Sequence, residues 1–100
     1  METLTPEGLY IYTVDFGTVK TYRDLYRCLK TGLDLPDFFG ENLDALWDCM
    51  TGFIGWPCEI RISGLSKLNK QRRQEVQKML DVMEEAQRKH PDDIRIIMDN

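Results

Sequence analysis

The apolar and polar positions along this chain change spacing repeatedly, and each change marks an element. Leu9 to Val14 (LYIYTV) is a short run rich in β-branched and aromatic residues, which predicts a strand ended by Asp15 to Gly17. Tyr22, Leu25, Tyr26 and Leu29 then recur at i, i+3, i+4 and i+7, the spacing of a helix with one apolar face. Thr21 can cap that helix, with Asp24 at its third position close to the capping-box pattern, and Gly32 is its natural stop. Leu33 to Gly40 (LDLPDFFG) predicts a connection, in which Pro36 holds Leu35 extended and Gly40 can take a positive φ. Asn42 caps a second helix that runs to about Thr51 and closes at Gly52. Asp44, in its first turn, suits the helix dipole.

Pro57 resets the chain before Cys58 to Ile62 (CEIRI), whose alternation of apolar and charged residues is that of a half-buried strand. Gly64 opens a turn. Ser66 to Lys89 predicts a long helical region, interrupted near Asn69, with Val76, Met79, Leu80 and Met83 as its core stripe. His90-Pro91 stops it, and Ile94 to Met98 (IRIIM) predicts the third strand. The order β-α-α-β-α-β predicts an α/β fold, a small and mainly parallel three-stranded sheet with crossover helices. Right-handed crossovers put the helices after strand one on one side of the sheet. Glu59, Arg61 and Arg95 predict that the other face is partly open to solvent. The chain reads as one domain spanning 1–100, without repeats or low-complexity segments.

Composition narrows the function classes. Apolar content of 42% and charged content of 30% are those of an ordinary soluble globular protein. A chain of 100 residues can bury a core without disulfides or a metal. A net charge of −4 argues against nucleic acid as a direct partner and leaves a basic protein open. No apolar run approaches a membrane span, and Met1 to Thr5 lacks the charged and apolar regions of a leader. Cys28, Cys49 and Cys58 are an odd set without metal spacing. They read as small buried hydrophobes in a reducing cytoplasm. Cys49 is the exception, since it falls on the back of its helix.

Charge is distributed unevenly. Thr31 to Ile60 holds Asp34, Asp37, Glu41, Asp44, Asp48 and Glu59, while all 13 Lys and Arg residues lie outside it. The same stretch holds Phe38, Phe39, Trp47, Phe53 and Trp56. On a helical wheel Leu43, Leu46, Trp47 and Met50 form the buried stripe of the second helix, and Asp44, Asp48 and Thr51 form another beside it. Two like charges at i, i+4 cost a helix a few tenths of a kcal/mol, and no nearby Lys or Arg offsets them. Such a helix suits a cation brought by a partner, with encounter speeded by the clustered acid.

Blander readings compete. A solvated helix face accounts for Asp44 and Asp48, and a paired-carboxylate enzyme or a Mg²⁺ site would use the same two residues. Phe39, Trp47 and Trp56 read as core, with Trp47 also serving as a contact, whereas Phe38 fits either role. The basic cluster Lys67 to Arg73 reads as a solvated face. His90 reads as a helix-terminal residue, and Gly40 and Gly52 as helix punctuation.

The run LPDFFGENLDALWDCMTGF, Leu35 to Phe53, resembles the barstar family, intracellular inhibitors of the secreted ribonuclease barnase. The likeness extends more weakly to TYRDLYRCLKTGLDLP and to DDIRIIM, and so covers most of the chain. It implies a three-stranded parallel sheet with helices packed on it, no cofactor, no enzymatic activity, and a chain that is monomeric when free. It also implies that the second helix and its loop plug a ribonuclease active site. The family's main anchor, an aspartate in a phosphate position, falls on Asp48, and its companion acid on Asp44. Further contacts fall on Phe38, Gly40, Asn42, Leu43, Trp47, Thr51, Gly52 and Phe53. The distant glutamate of the last helix falls on Glu85 with one residue inserted before Asp93, with Glu84 adjacent. Phe38 stands where the family has tyrosine and Phe53 where it has tryptophan, so partner choice can shift. The implied partner is a basic microbial ribonuclease of the barnase type or a related toxin. The alternative is an interaction module on the same scaffold with a non-nuclease partner.

Overall fold

The computed structural model describes residues 3–99. Met1, Glu2 and Asn100 lie outside the described residues, and with them part of the segment read above as lacking a leader. The elements run β1 (Thr3–Leu4), β2 (Tyr10–Asp15), α1 (Tyr22–Gly32), α2 (Leu43–Gly52), β3 (Cys58–Ser63), a 3₁₀ turn (Leu65–Lys67), α3 (Lys70–Lys89) and β4 (Ile94–Met98). β2, β3 and β4 form the expected parallel sheet, side by side in chain order. The sequence reading missed β1, which adds a short antiparallel strand on the outer edge of β2. At two residues it is too brief to leave a periodic signal.

Pleat alternation fixes which face is covered. Tyr12, Val14, Ile60 and Ile62 are buried beneath α1 and α3, while Thr13, Asp15, Arg61 and Arg95 face solvent. Register stacks Tyr12, Ile60 and Ile96 in one row across the parallel strands. The solvent face holds a Glu59–Arg61 ion pair of 2.6 Å. On the free edge of the sheet, the side chain of Gln87 accepts a hydrogen bond from the Ile96 N–H at 2.9 Å.

Local chemistry sets the helix ends. Thr21 accepts from the Asp24 N–H, and the Asp24 carboxylate accepts from the N–H groups of Lys20 and Thr21, a complete capping box. These backbone donors hold the Asp24 carboxyl below its ordinary value of 3.8. Asn69 caps α3 by accepting from Arg72 N–H at 2.8 Å, so the interruption falls at the residue that predicted it. Gly32 ends α1 for a different reason than expected. It does not adopt the left-handed conformation, which falls instead on Asp34 (φ 53°). A Cβ at Gly32 would lie 2.5 Å from the Thr13 carbonyl oxygen, so glycine is required for α1 to close on β2.

The thiols differ from expectation. Cys49 and Cys58 are buried and Cys28 is the half-buried one. Cys49 enters the core because α2 is covered on a broader arc than its wheel stripe implies. Burial, and then the charge of Asp93, push the Cys58 thiol up to about 12.

Candidate functional site: the acidic helix and its loop

α2 packs chiefly against α3 rather than on the sheet. It therefore stands on the outside of the helical layer with its far side free. Leu46, Cys49 and Met50 are fully seated in the core, and Leu43 and Trp47 are half-buried at its margins. This corrects the wheel, which put Leu43 and Trp47 in the stripe and Cys49 outside it. The rotation leaves the indole of Trp47 partly open beside the carboxylates.

Asp44 and Asp48 are both exposed, and neither has an ion pair or hydrogen bond among the described residues. The rest of the acidic stretch is partly neutralised from outside it. Lys30 lies 3.3 Å from Asp37, Arg23 lies 3.9 Å from Glu41, and Arg61 pairs with Glu59. The uncompensated charge thus narrows from six carboxylates to those of Asp34, Asp44 and Asp48.

The loop before α2 is built by Asn42. Its Oδ1 accepts from the Ala45 N–H at 2.8 Å and its Nδ2 donates to the Gly40 carbonyl at 3.1 Å. Both ends of this side chain are engaged in shaping the loop. Gly40 was expected to offer a positive φ, but that conformation falls on Glu41 (φ 50°). What Gly40 supplies is room, since a Cβ there would crowd Asn42 Nδ2 at 3.1 Å. The two adjacent phenylalanines split. Phe39 is buried in the core and Phe38 projects with 84% of its surface exposed.

At the other end of α2, the Thr51 hydroxyl donates to the Trp47 carbonyl at 2.8 Å. Gly52 is exposed, with open space where a Cβ would stand, and Phe53 is about half exposed. Phe38, Gly40, Asp44, Asp48, Gly52 and Phe53 are therefore all exposed along the loop and helix, with Leu43, Trp47 and Thr51 partly open. Glu85 lies on α3 and is already ion-paired with Arg88. That hydrogen bond holds the Glu85 carboxyl below its ordinary value. Unlike the two aspartates, it is not a free charge.

Tyr22 is a further residue that the sequence reading misassigned. Helical spacing put it in the apolar stripe of α1, yet it is 48% exposed. Its position as the first residue of the helix was the available signal, because an end turn extends past the element that covers the rest. No group of three or more His, Cys, Asp and Glu side chains is gathered for a metal ion among the described residues. Among the described residues no helix is long and apolar enough to cross a membrane.

Fold and site together define a small α/β protein that presents an acidic, ring-flanked helix on its outer side. Residues 9–98 match the family described as "Barstar (barnase inhibitor)". The chain belongs to the barstar family. It is also 35% identical over 85 residues to the "Putative ribonuclease inhibitor YrdF" of Bacillus subtilis (strain 168), an alignment covering 85% of this chain and 90% of that relative.

Proposed function

We propose that this chain is a stoichiometric inhibitor of a basic ribonuclease of the barnase type, and that α2 and its preceding loop occupy the enzyme's active site. The observation that carries the reading is the pair of exposed carboxylates, Asp44 and Asp48, left without an internal cation on a helix flanked by Trp47. Membership of the family and the name of the Bacillus relative support it. Asp48 takes the place of an RNA phosphate among the enzyme's cationic groups, and Asp44 pairs with a second cation beside it. Phe38 and Phe53 cover the two ends of the contact and exclude water from it. Burying a charge requires a partner of opposite sign and full hydrogen bonding, which an active site evolved for phosphate supplies. Steering by the clustered acid speeds encounter and weakens with salt.

The test is an inhibition assay against a panel of basic microbial ribonucleases at two salt concentrations. Asp48→Ala is expected to weaken inhibition about a hundredfold or more, the general size for removing one partner of a desolvated charge pair, a rule drawn partly from complexes of this family. Asp44→Ala is expected to lose less, and Glu85→Ala less again because Glu85 is shared with Arg88. Undiminished inhibition by Asp48→Ala would sink the proposal.

A further inference from the structure

Beside the start of α2 lies an open trough that shares Asn42, Leu43 and Asp44 with the ribonuclease-contact surface above and extends beyond it to Tyr22 and Tyr26 of α1 and to α3. Its first part, of about 380 Å³, is lined by Tyr22, Tyr26, Glu41, Asn42, Leu43 and Asp44. A second part, of about 200 Å³, shares Tyr22, Tyr26 and Leu43 and runs on to Glu75 and Lys78 of α3. The two rings stand edge to face, with centroids 5.6 Å apart and planes at 79°. Tyr26 is buried and forms the floor, while Tyr22 rises as a half-exposed wall. Burial first, and then the Tyr22 hydroxyl and the Glu41 charge, hold the Tyr26 phenol well above its ordinary range, so this ring stays uncharged.

In the lining, Asp44 is unpaired among the described residues, Glu41 is held by Arg23 at 3.9 Å, and Lys78 adds a cation at the α3 end. The trough is continuous with the proposed contact surface, because Asp44 belongs to both. Tyrosine rings in one trough with the Glu41 and Asp44 carboxylates complement one kind of group. A guanidinium is planar, stacks on an aromatic face, and donates in a fork that matches carboxylate oxygens. Arg23, paired with Glu41 at 3.9 Å, is the chain's own example of a guanidinium on one of these carboxylates.

We infer that this trough is a docking cleft for an arginine side chain of the partner ribonuclease, with Tyr22 as a residue that selects among partners. The inference rests on the inhibitor reading and adds a contact to it. The test uses a ribonuclease that the full chain inhibits, with binding measured for wild type, Tyr22→Ala, Tyr22→Phe, Glu41→Gln and Asp48→Ala. Tyr22→Ala is expected to weaken binding about tenfold, mainly through faster dissociation, while Tyr22→Phe stays within about twofold because the ring face is kept. Glu41→Gln, which leaves the shape unchanged, should weaken binding by about threefold and flatten the salt dependence. It decides the question should Tyr22→Ala fold poorly. Replacing the enzyme's interfacial arginines one at a time should reveal one that couples to Tyr22 in a double-mutant cycle. If Asp48→Ala abolishes binding while Tyr22→Ala and Glu41→Gln bind like wild type, the cleft is refuted and the inhibitor reading stands. Coupling of Tyr22 to no arginine also refutes it. Full binding by Asp48→Ala would overturn the parent reading and the cleft together.

Discussion

Asp48→Ala should make the free chain more stable even as it destroys the proposed contact. Asp48 is exposed, so its removal opens no cavity and strands no buried group. Alanine is the better helix former by about 0.6 kcal/mol. Relief of the Asp44–Asp48 repulsion at i, i+4 adds about 0.3 kcal/mol. A further one or two tenths come from withdrawing a negative charge from the second half of a helix with no basic residue in its last turn. The sum is about 1 kcal/mol, which for a chain of 100 residues corresponds to a Tm rise of about 4–8 °C. Urea denaturation of both proteins at pH 7 and low salt measures it. Repeating the pair near 1 M salt, where the Debye length falls to about 3 Å, should remove the electrostatic part and leave the propensity part. Asp48→Asn separates the two, since it drops the charge with little change in propensity. If Asp48→Ala lowers stability by more than about 0.5 kcal/mol, the carboxylate has a stabilising partner in the free chain. The picture of a charge held in reserve then fails.

Three further outcomes test the fold around the site. Gly32→Ala should lose about 1–3 kcal/mol in urea unfolding, because the new methyl group would meet the Thr13 carbonyl at 2.5 Å. Because the folded Asp24 carboxyl is held below its ordinary value, its contribution is full above that value and lost as pH falls through the lowered one. Asp24→Asn should accordingly be less stable than wild type at pH 7, with the difference shrinking toward pH 2, as read by urea unfolding followed by circular dichroism at each pH. Gln87→Leu should leave the Ile96 N–H without its acceptor on the open edge of β4, speeding hydrogen exchange there and promoting self-association by light scattering. Unchanged exchange at Ile96 would show that the glutamine does not protect that edge.

The elements were legible wherever pattern and chemistry agreed. Thr21 with Asp24 and Asn42 each mark a helix start in sequence and accept the hydrogen bond that the position predicts, while Asn69, read only as an interruption, proves to be the cap of α3. Phe39 was read as core and is buried, whereas Phe38 fitted either role and projects, because periodicity is silent in a loop. Positive φ was assigned to Gly40 and falls on Glu41 and Asp34, since the loop's geometry is set by the Asn42 cap and not by the glycine. The wheel of α2 assumed a single covering neighbour, whereas cover over a wider arc brings in Cys49 and releases the edges of Leu43 and Trp47. The free state of Asp44 and Asp48 could be surmised from missing neighbours in sequence. The Arg61–Glu59 pair follows from i, i+2 spacing on a strand, whereas those of Lys30 and Arg23 depend on tertiary approach, which no spacing reveals.

The strands' uncovered side, with Thr13, Arg61 and Arg95 outward, has its back to the helical layer. A fluorophore, a biotin tether or a fused carrier attached at Arg61 or Arg95 would leave the α2 surface unobstructed. Immobilised that way, the molecule could serve as an affinity matrix for fishing nucleases from a mixture, with its working side turned uniformly toward the solution.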